Sequence, residues 1–421
     1  MLQKNYYDII IVGSGIAGLY SAYNILKMKP RIKLLILEAD KKSWFGGRTG
    51  NVDFYGSSVP KGAGVGRKNK DYLLIDLLKE LNVHYSEFIE DKYYSRTIHP
   101  TCQVKSIISY LQKTLKREKA IDKNGKHLTF KQFALPILGN ENYEHFLICA
   151  AFRDFEKEDA YDVLLRYGFD DNYGKDVCLS IPWSKLTHKL AQKISFKNIA
   201  FSSKVTAIHS YDGLFQIDCI NGNTYISEKT IIATTIKSLV ELLPQFPIYK
   251  QIHGYNFLRV YGKFNAASIS IMKKYVPGFM IVPGPLQKIL RIDPDKGVYM
   301  IAYSDNDCAT YFKERNLLEN NEKNREIFCK MIAKSLGFTE EDTKILHLNA
   351  IKHFYWSIGT HYCQPLNTNE YKNRTQFLKI AQHPMNNMLV VGEVVSNDQG
   401  WTEGALDSVH KVLNLAWLTS H

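Results

Sequence analysis

The residues best suited to chemistry stand near the two ends of the chain. Asp8-Ile-Ile-Ile-Val-Gly13-Ser14-Gly15-Ile16-Ala17-Gly18 carries glycines spaced G-x-G-x-x-G. Gly13 permits a tight turn, Gly15 lets backbone amides approach a pyrophosphate, and Gly18 lets a helix pack closely on a strand. A helix opening at Ile16 would turn free N–H groups and the positive end of its dipole toward phosphate. Glu38, followed by Ala39, stands about 20 residues beyond Gly18, where a carboxylate can accept hydrogen bonds from ribose hydroxyls. The pattern points to a dinucleotide and leaves flavin and nicotinamide both open. Beyond Glu38 comes Gly46-Gly47-Arg48-Thr49. Paired glycines admit close backbone approach, and a permanently charged guanidinium can neutralise a diphosphate. Taken alone, that tripeptide reads as a surface turn.

These residues need a strand, a turn and a helix to hold them. Apolar patterning predicts a strand at Tyr7–Val12, a helix from Ile16 to Met28 and a second strand at Lys33–Glu38. Further on, Lys204–His209, Leu214–Cys219 and Thr224–Ser227 alternate like hairpin strands around Asp212-Gly213 and Asn221-Gly222, and Thr230–Ala233 reads as a buried strand. The last segment is a strand at Met388–Val391, a glycine turn and a C-terminal helix. Two long insertions separate these pieces. The first is largely helical, as in Asp71–Leu81 and Val104–Leu115. The second mixes strands (Phe257–Phe264, Gly297–Tyr303) with a helix near Asn324–Leu336. The expected plan is α/β: a Rossmann-like dinucleotide domain from residues 1–70, 194–243 and 386–421, with an interleaved α+β substrate domain from 71–193 and 244–385.

Placed in that frame, the motifs resemble the flavin amine oxidase family, whose second signature is a G-G-R at this distance from the first. The resemblance runs nearly the whole chain. Lys61-Gly62-Ala63-Gly64-Val65 is similar to the family's glycine-rich turn beside the flavin ring. Val205 matches the residue whose backbone meets the adenine. Val391-Gly392-Glu393 followed by Gly400-Trp401-Thr402-Glu403-Gly404-Ala405 resembles the closing signature, in which a helix start faces the flavin and Glu393 lies near the ribityl–phosphate portion. The resemblance implies an FAD-binding domain and hydride transfer from the carbon beside an amine to flavin N5. Oxygen would take the electrons as hydrogen peroxide, and polyamines or other primary or secondary amines would be the substrates.

The family guides its amine between two aromatic rings, and by resemblance these are Trp401 and Tyr362. Two departures stand out. The family's lysine near N5 aligns with Arg259, while Lys263 falls four residues late. His361 takes the position of a flavin-bearing cysteine, and a non-covalent FAD beside a hydrogen-bonded His361 is expected over a histidyl-flavin. Two other readings stay open: an FAD-dependent oxidase or desaturase of a non-amine substrate, and a catalytically silent flavin-binding scaffold.

Composition narrows the class. At 421 residues, 45% hydrophobic and 23% charged, the chain has the make-up of a globular protein large enough for two domains. Its net charge of +12 is spread over scattered lysines with no aromatic-interleaved basic run, which argues against nucleic acid. Acidic side chains gather between Glu141 and Asp176 (Asp154, Glu156, Glu158, Asp159, Asp162, Asp170, Asp171) and could rim a funnel for polyamines or basic peptides. Seven widely spaced cysteines without a C-x-x-C pair argue against disulfides or a structural zinc and for a reducing compartment. With no signal peptide and no bilayer-length apolar run, a cytoplasmic protein without membrane anchor is expected; a homodimer is left open.

Overall fold

The computed structural model describes residues 5–169 and 177–420. Tyr6–Val12 ends in four consecutive buried residues, as a strand covered on both faces must. Its side chains alternate between two cores. Ile9 and Ile11 pack with the helix Ile16–Met28 and with Leu74, Leu186 and Leu406, whereas Ile10 and Val12 pack with Ile217, Leu239 and Val390 on the other face. The strand pairs in parallel with Leu34–Leu37 on one side and Thr224–Ile232 on the other.

Thr224–Ile232 is one continuous strand rather than the two expected. Its first half closes an antiparallel hairpin with Leu214–Cys219; its second half runs parallel to Met388–Val390. The burial pattern changes accordingly, from mixed to four buried residues in a row. Seven strands drawn from both ends and the middle of the sequence thus form one sheet. Each of the glycine motifs lies at the same end of it.

A second, six-stranded sheet carries the long antiparallel pair Ile252–Phe264 and Leu348–Cys363, flanked by Val298–Asp305 and Lys288–Asp293. Helices Val104–Arg117, Phe130–Leu138, Asn140–Ala150 and Ala160–Arg166 enclose a core of their own around Phe130, Phe146 and Phe155. The cysteine expectation needs correction here. Cys102 and Cys149 are disulfide-bonded across 47 residues of sequence, because the fold sets the start of one helix against the end of another. Spacing along the chain cannot reveal such a meeting. The other five cysteines form no disulfide. Among the described residues, no helix is long and apolar enough to cross a membrane.

Candidate active site

A cleft of about 530 Å³ runs from the first βα turn to the start of the helix Thr402–Val412. Gly13, Gly15, Ile16, Ala17, Glu38, Ala39, Gly46, Gly47, Arg48, Gly62, Ala63 and Val205 border it, with Gly392, Glu393, Gly400, Trp401, Thr402 and Ala405 at its far end. Gly13 has φ +103, where L side chains are disfavoured, and a Cβ on Gly18 would stand 2.0 Å from the Gly13 carbonyl oxygen. Gly18 therefore sets the helix against the turn below the cleft. Gly15 differs: a Cβ there would meet nothing within 4 Å, because that position faces open space. Neither the helix at Ile16 nor the one at Thr402 has a side-chain cap at its start. Their first N–H groups and dipole ends are left for a ligand.

Carboxylates fix both ends of the cleft. Glu38 accepts from the Ser14 N–H (2.7 Å), the Ser14 hydroxyl (2.5 Å) and the Asp40 N–H (2.8 Å), which ties the first turn to the end of the second strand. Glu393 is buried and accepts from the backbone N–H of His361 (2.8 Å) and of Gly400 (2.6 Å), with Arg48 at 3.2 Å. Burial alone would raise its carboxyl, but the neighbouring positive charge and hydrogen bonds bring it down to about 2. His361 Nε2 accepts from the Ile236 N–H (3.1 Å), so its proton sits on Nδ1, which donates to Glu393 at 2.5 Å. Burial lowers the imidazole, opposed in part by the Glu393 carboxylate beside it. Both ring nitrogens of His361 are engaged within the protein. Arg48 also donates to the Gly359 carbonyl at 2.7 Å, which aims the guanidinium along the cleft floor.

A larger cavity of about 1200 Å³ lies beside the cleft, bordered by Gly64, Val65, Phe152, Asp154, Glu158 and Asp162. The two spaces meet at Phe257, Arg259, Tyr303, Thr360, Gly400 and Trp401. Arg259 is 6% exposed, with its guanidinium 4.3 Å from the Tyr303 ring centroid and close to Gly64. The Trp401 indole N–H donates to Asp71 (2.9 Å), and its ring meets Trp183 edge-on. Asp71 in turn holds Arg67 (2.8 Å). Thr360 Oγ1 is buried without a protein partner. The uncapped helix starts, the open space at Gly15 and this orphan hydroxyl together fit a dinucleotide in the cleft.

No family model matches the chain, and no curated protein matches it in sequence. Solved structures do. A putrescine oxidase bound to putrescine superposes with a TM-score of 0.73 at 12% identity, covering 96% of this chain and 98% of that one. A mutant of the same enzyme, from a redesign of its cofactor binding, gives 0.72 at 14% identity over 97% and 98%. The chain has the flavin amine oxidase fold.

Two residues expected at the reaction centre lie elsewhere in this fold. Tyr362 stacks on Tyr255 (centroids 4.1 Å, 15° between planes), is 8% exposed and borders neither space. Phe257, two residues along from Tyr255 on the adjacent strand, presents its ring to the junction instead. Lys263 sits farther along the strand from Arg259, outside both spaces, with its ammonium on the Lys296 carbonyl. Trp401 and Arg259 are at the junction. Sequence reasoning missed Phe257, Tyr303 and Thr360. Phe257 had a signal, since it shares a strand face with Arg259 at i, i+2. Asp170, Asp171 and Asp176 of the acidic stretch lie outside the described residues.

Proposed function

We propose that the chain binds FAD non-covalently along the cleft and oxidises an amine held in the adjoining cavity. The observation that carries this reading is the junction: the nucleotide-shaped cleft and the charged cavity share Arg259, Tyr303, Thr360 and Trp401. When bound, FAD would supply the redox chemistry, taking a hydride from the carbon beside the amine nitrogen and passing the electron pair to O2 to give H2O2, with the imine hydrolysing to carbonyl and amine. The amides at Ile16 and Ala17, with Arg48, would hold the pyrophosphate, Glu38 would take the ribose, Val205 would meet the adenine, and the helix start at Thr402 and Ala405 would serve the flavin portion. Trp401, fixed by Asp71 and Trp183, forms one wall for the reacting amine.

The carboxylates Asp154, Glu158 and Asp162 on one wall of the cavity support a cationic substrate. Glu158 borders the cavity, and its carboxylate has no hydrogen-bond or ion-pair partner among the described residues. Burial raises its carboxyl well above the usual range, reinforced by Asp154 and Asp162. A half-buried carboxylate lining the cavity without a hydrogen-bonded partner is a site for an ammonium group. Arg259, permanently charged, disfavours a protonated amine at the junction itself. Together they favour a neutral amine at the junction and a second, charged amine at Glu158, the pattern of a diamine or polyamine.

A second reading follows from the same arginine. With Arg259 at the junction and Tyr362 outside it, an oxidisable substrate other than an amine, with a partial negative charge against Arg259, also fits the cavity. Anaerobic mixing of the yellow holoprotein with putrescine and a panel of mono-, di- and polyamines tests the choice. Bleaching of the flavin by diamines supports amine oxidation, and a flavin that every amine leaves oxidised refutes it.

A further inference from the structure

Far from the glycine motifs, the disulfide has a third neighbour. His145 and Cys149 are four apart on the helix Asn140–Ala150, so they share a face. His145 Nε2 lies 3.4 Å from Cys149 Sγ, and Cys102 comes from the other side, with its Cα 5.5 Å from that of Cys149. The two sulfurs and the imidazole nitrogen all lie within 4.8 Å of one another. Among the described residues no other group of three histidines, cysteines or carboxylates gathers this way.

We propose that Cys102, His145 and Cys149 form a redox-gated metal site, closed as a disulfide and, once reduced, binding one divalent cation of the zinc class. Bonds of about 2.3 Å to sulfur and about 2.0–2.1 Å to nitrogen at tetrahedral angles require donor separations of about 3.6 Å (S–N) and about 3.8 Å (S–S). The existing S–N separation of 3.4 Å already meets the first. The sulfur pair has to part, and a change of side-chain rotamer supplies that. Cys102 and His145 are half-buried while Cys149 is buried, so the fourth position opens to water. Three protein ligands and one solvent position complete a tetrahedron.

The chemistry balances in two steps. A dithiol reductant gives up two electrons and two protons, the Cys102–Cys149 bond breaks to two thiols, and the reductant leaves as its own disulfide. The metal ion then displaces one proton from each thiol and takes the lone pair of His145. Both closed forms tie the end of one helix to the start of another. The tie matters because the next residues, Phe152 and Asp154, border the large cavity, while Lys288 holds the Ala151 carbonyl at 2.6 Å. Only the reduced, metal-free state leaves this turn without its covalent or metal anchor.

The test uses the full-length protein, reduced anaerobically with a phosphine, freed of reductant and titrated with Co2+. One equivalent should bind with tetrahedral d–d bands to the red of any flavin absorption and a thiolate charge-transfer band in the near ultraviolet, and Zn2+ should displace it. Metal-loaded protein should show two fewer reactive thiols than the reduced metal-free protein, and oxidised protein should bind no cobalt. His145→Ala and Cys102→Ser should each weaken binding at least tenfold. Failure of reduced protein to bind cobalt, binding that survives in a Cys102→Ser, Cys149→Ser double variant, or full affinity in His145→Ala would each overturn the site. Should a variant fail to fold, the oxidised and reduced wild-type proteins still decide the matter without any substitution.

Discussion

The cleft and the cavity are neighbours built on opposite principles. The cleft is made of backbone: glycines, uncapped helix starts and two carboxylates that hold turns in place. The cavity is made of side chains, with Arg259, the pair Asp154 and Glu158, and Trp401 arriving from three separate segments. Backbone sites tolerate little change in geometry but are indifferent to most side chains. Side-chain sites keep their shape under substitution and change what they recognise. Substitutions in the cleft should therefore act on cofactor retention, and substitutions in the cavity on substrate.

The largest expected effect lies in the cleft. Gly15→Val places a branched side chain where a Cβ now meets nothing, so the apoprotein should fold with unchanged circular dichroism while FAD binding is lost. A Gly15→Val protein that retains flavin would break the distinction between the two regions. At the junction, Arg259→Met should keep FAD but slow flavin reduction by roughly 10²-fold in rapid mixing, as expected when a charge aimed at the reacting atoms is removed. Loss of the flavin instead would move Arg259 into the cofactor-holding group.

Deeper in the cavity, Glu158→Gln should raise KM for diamines by about 10-fold or more and leave monoamines nearly unchanged. The same residue gives a pH signature. Only the ionised carboxylate attracts an ammonium, and its pKa is raised, so diamine kcat/KM relative to monoamine should climb as pH rises through that value and fall below it. Glu158→Gln should flatten the slope; a slope that persists would assign it to another group. The smallest effect belongs to Trp401→Ala. It should lower turnover by ~10-fold or less with FAD retained, since an aromatic wall at a partly exposed site contributes about 0.5–1 kcal/mol. Steady-state kinetics with a fixed flavin content checks it.

The same contrast decides what could be read from the sequence. Gly13 to Gly18, Gly46 to Arg48 and Gly400 to Ala405 are local: their spacing reports a turn and a helix start, and the cleft follows. The hairpin strands at 204–209, 214–219 and 224–227 were legible for the same reason, although the switch of Thr224–Ile232 from antiparallel to parallel partners was not. The junction is non-local. Tyr362 was expected to face it because of its position in a motif, but Tyr255 of the adjacent strand covers it, and cross-strand register decides which ring is exposed. Thr360 and Tyr303 carry no motif at all. Cys102 and Cys149 meet through helix packing that no spacing encodes.

The most direct measurement is the visible spectrum of purified protein, followed by titration of apoprotein with FAD and a repeat spectrum after acid precipitation. Two uncapped helix starts and an open Gly15 predict a yellow protein that binds one FAD per chain and releases it into the supernatant on denaturation. A folded protein that stays colourless and takes up no FAD would contradict the account at its root.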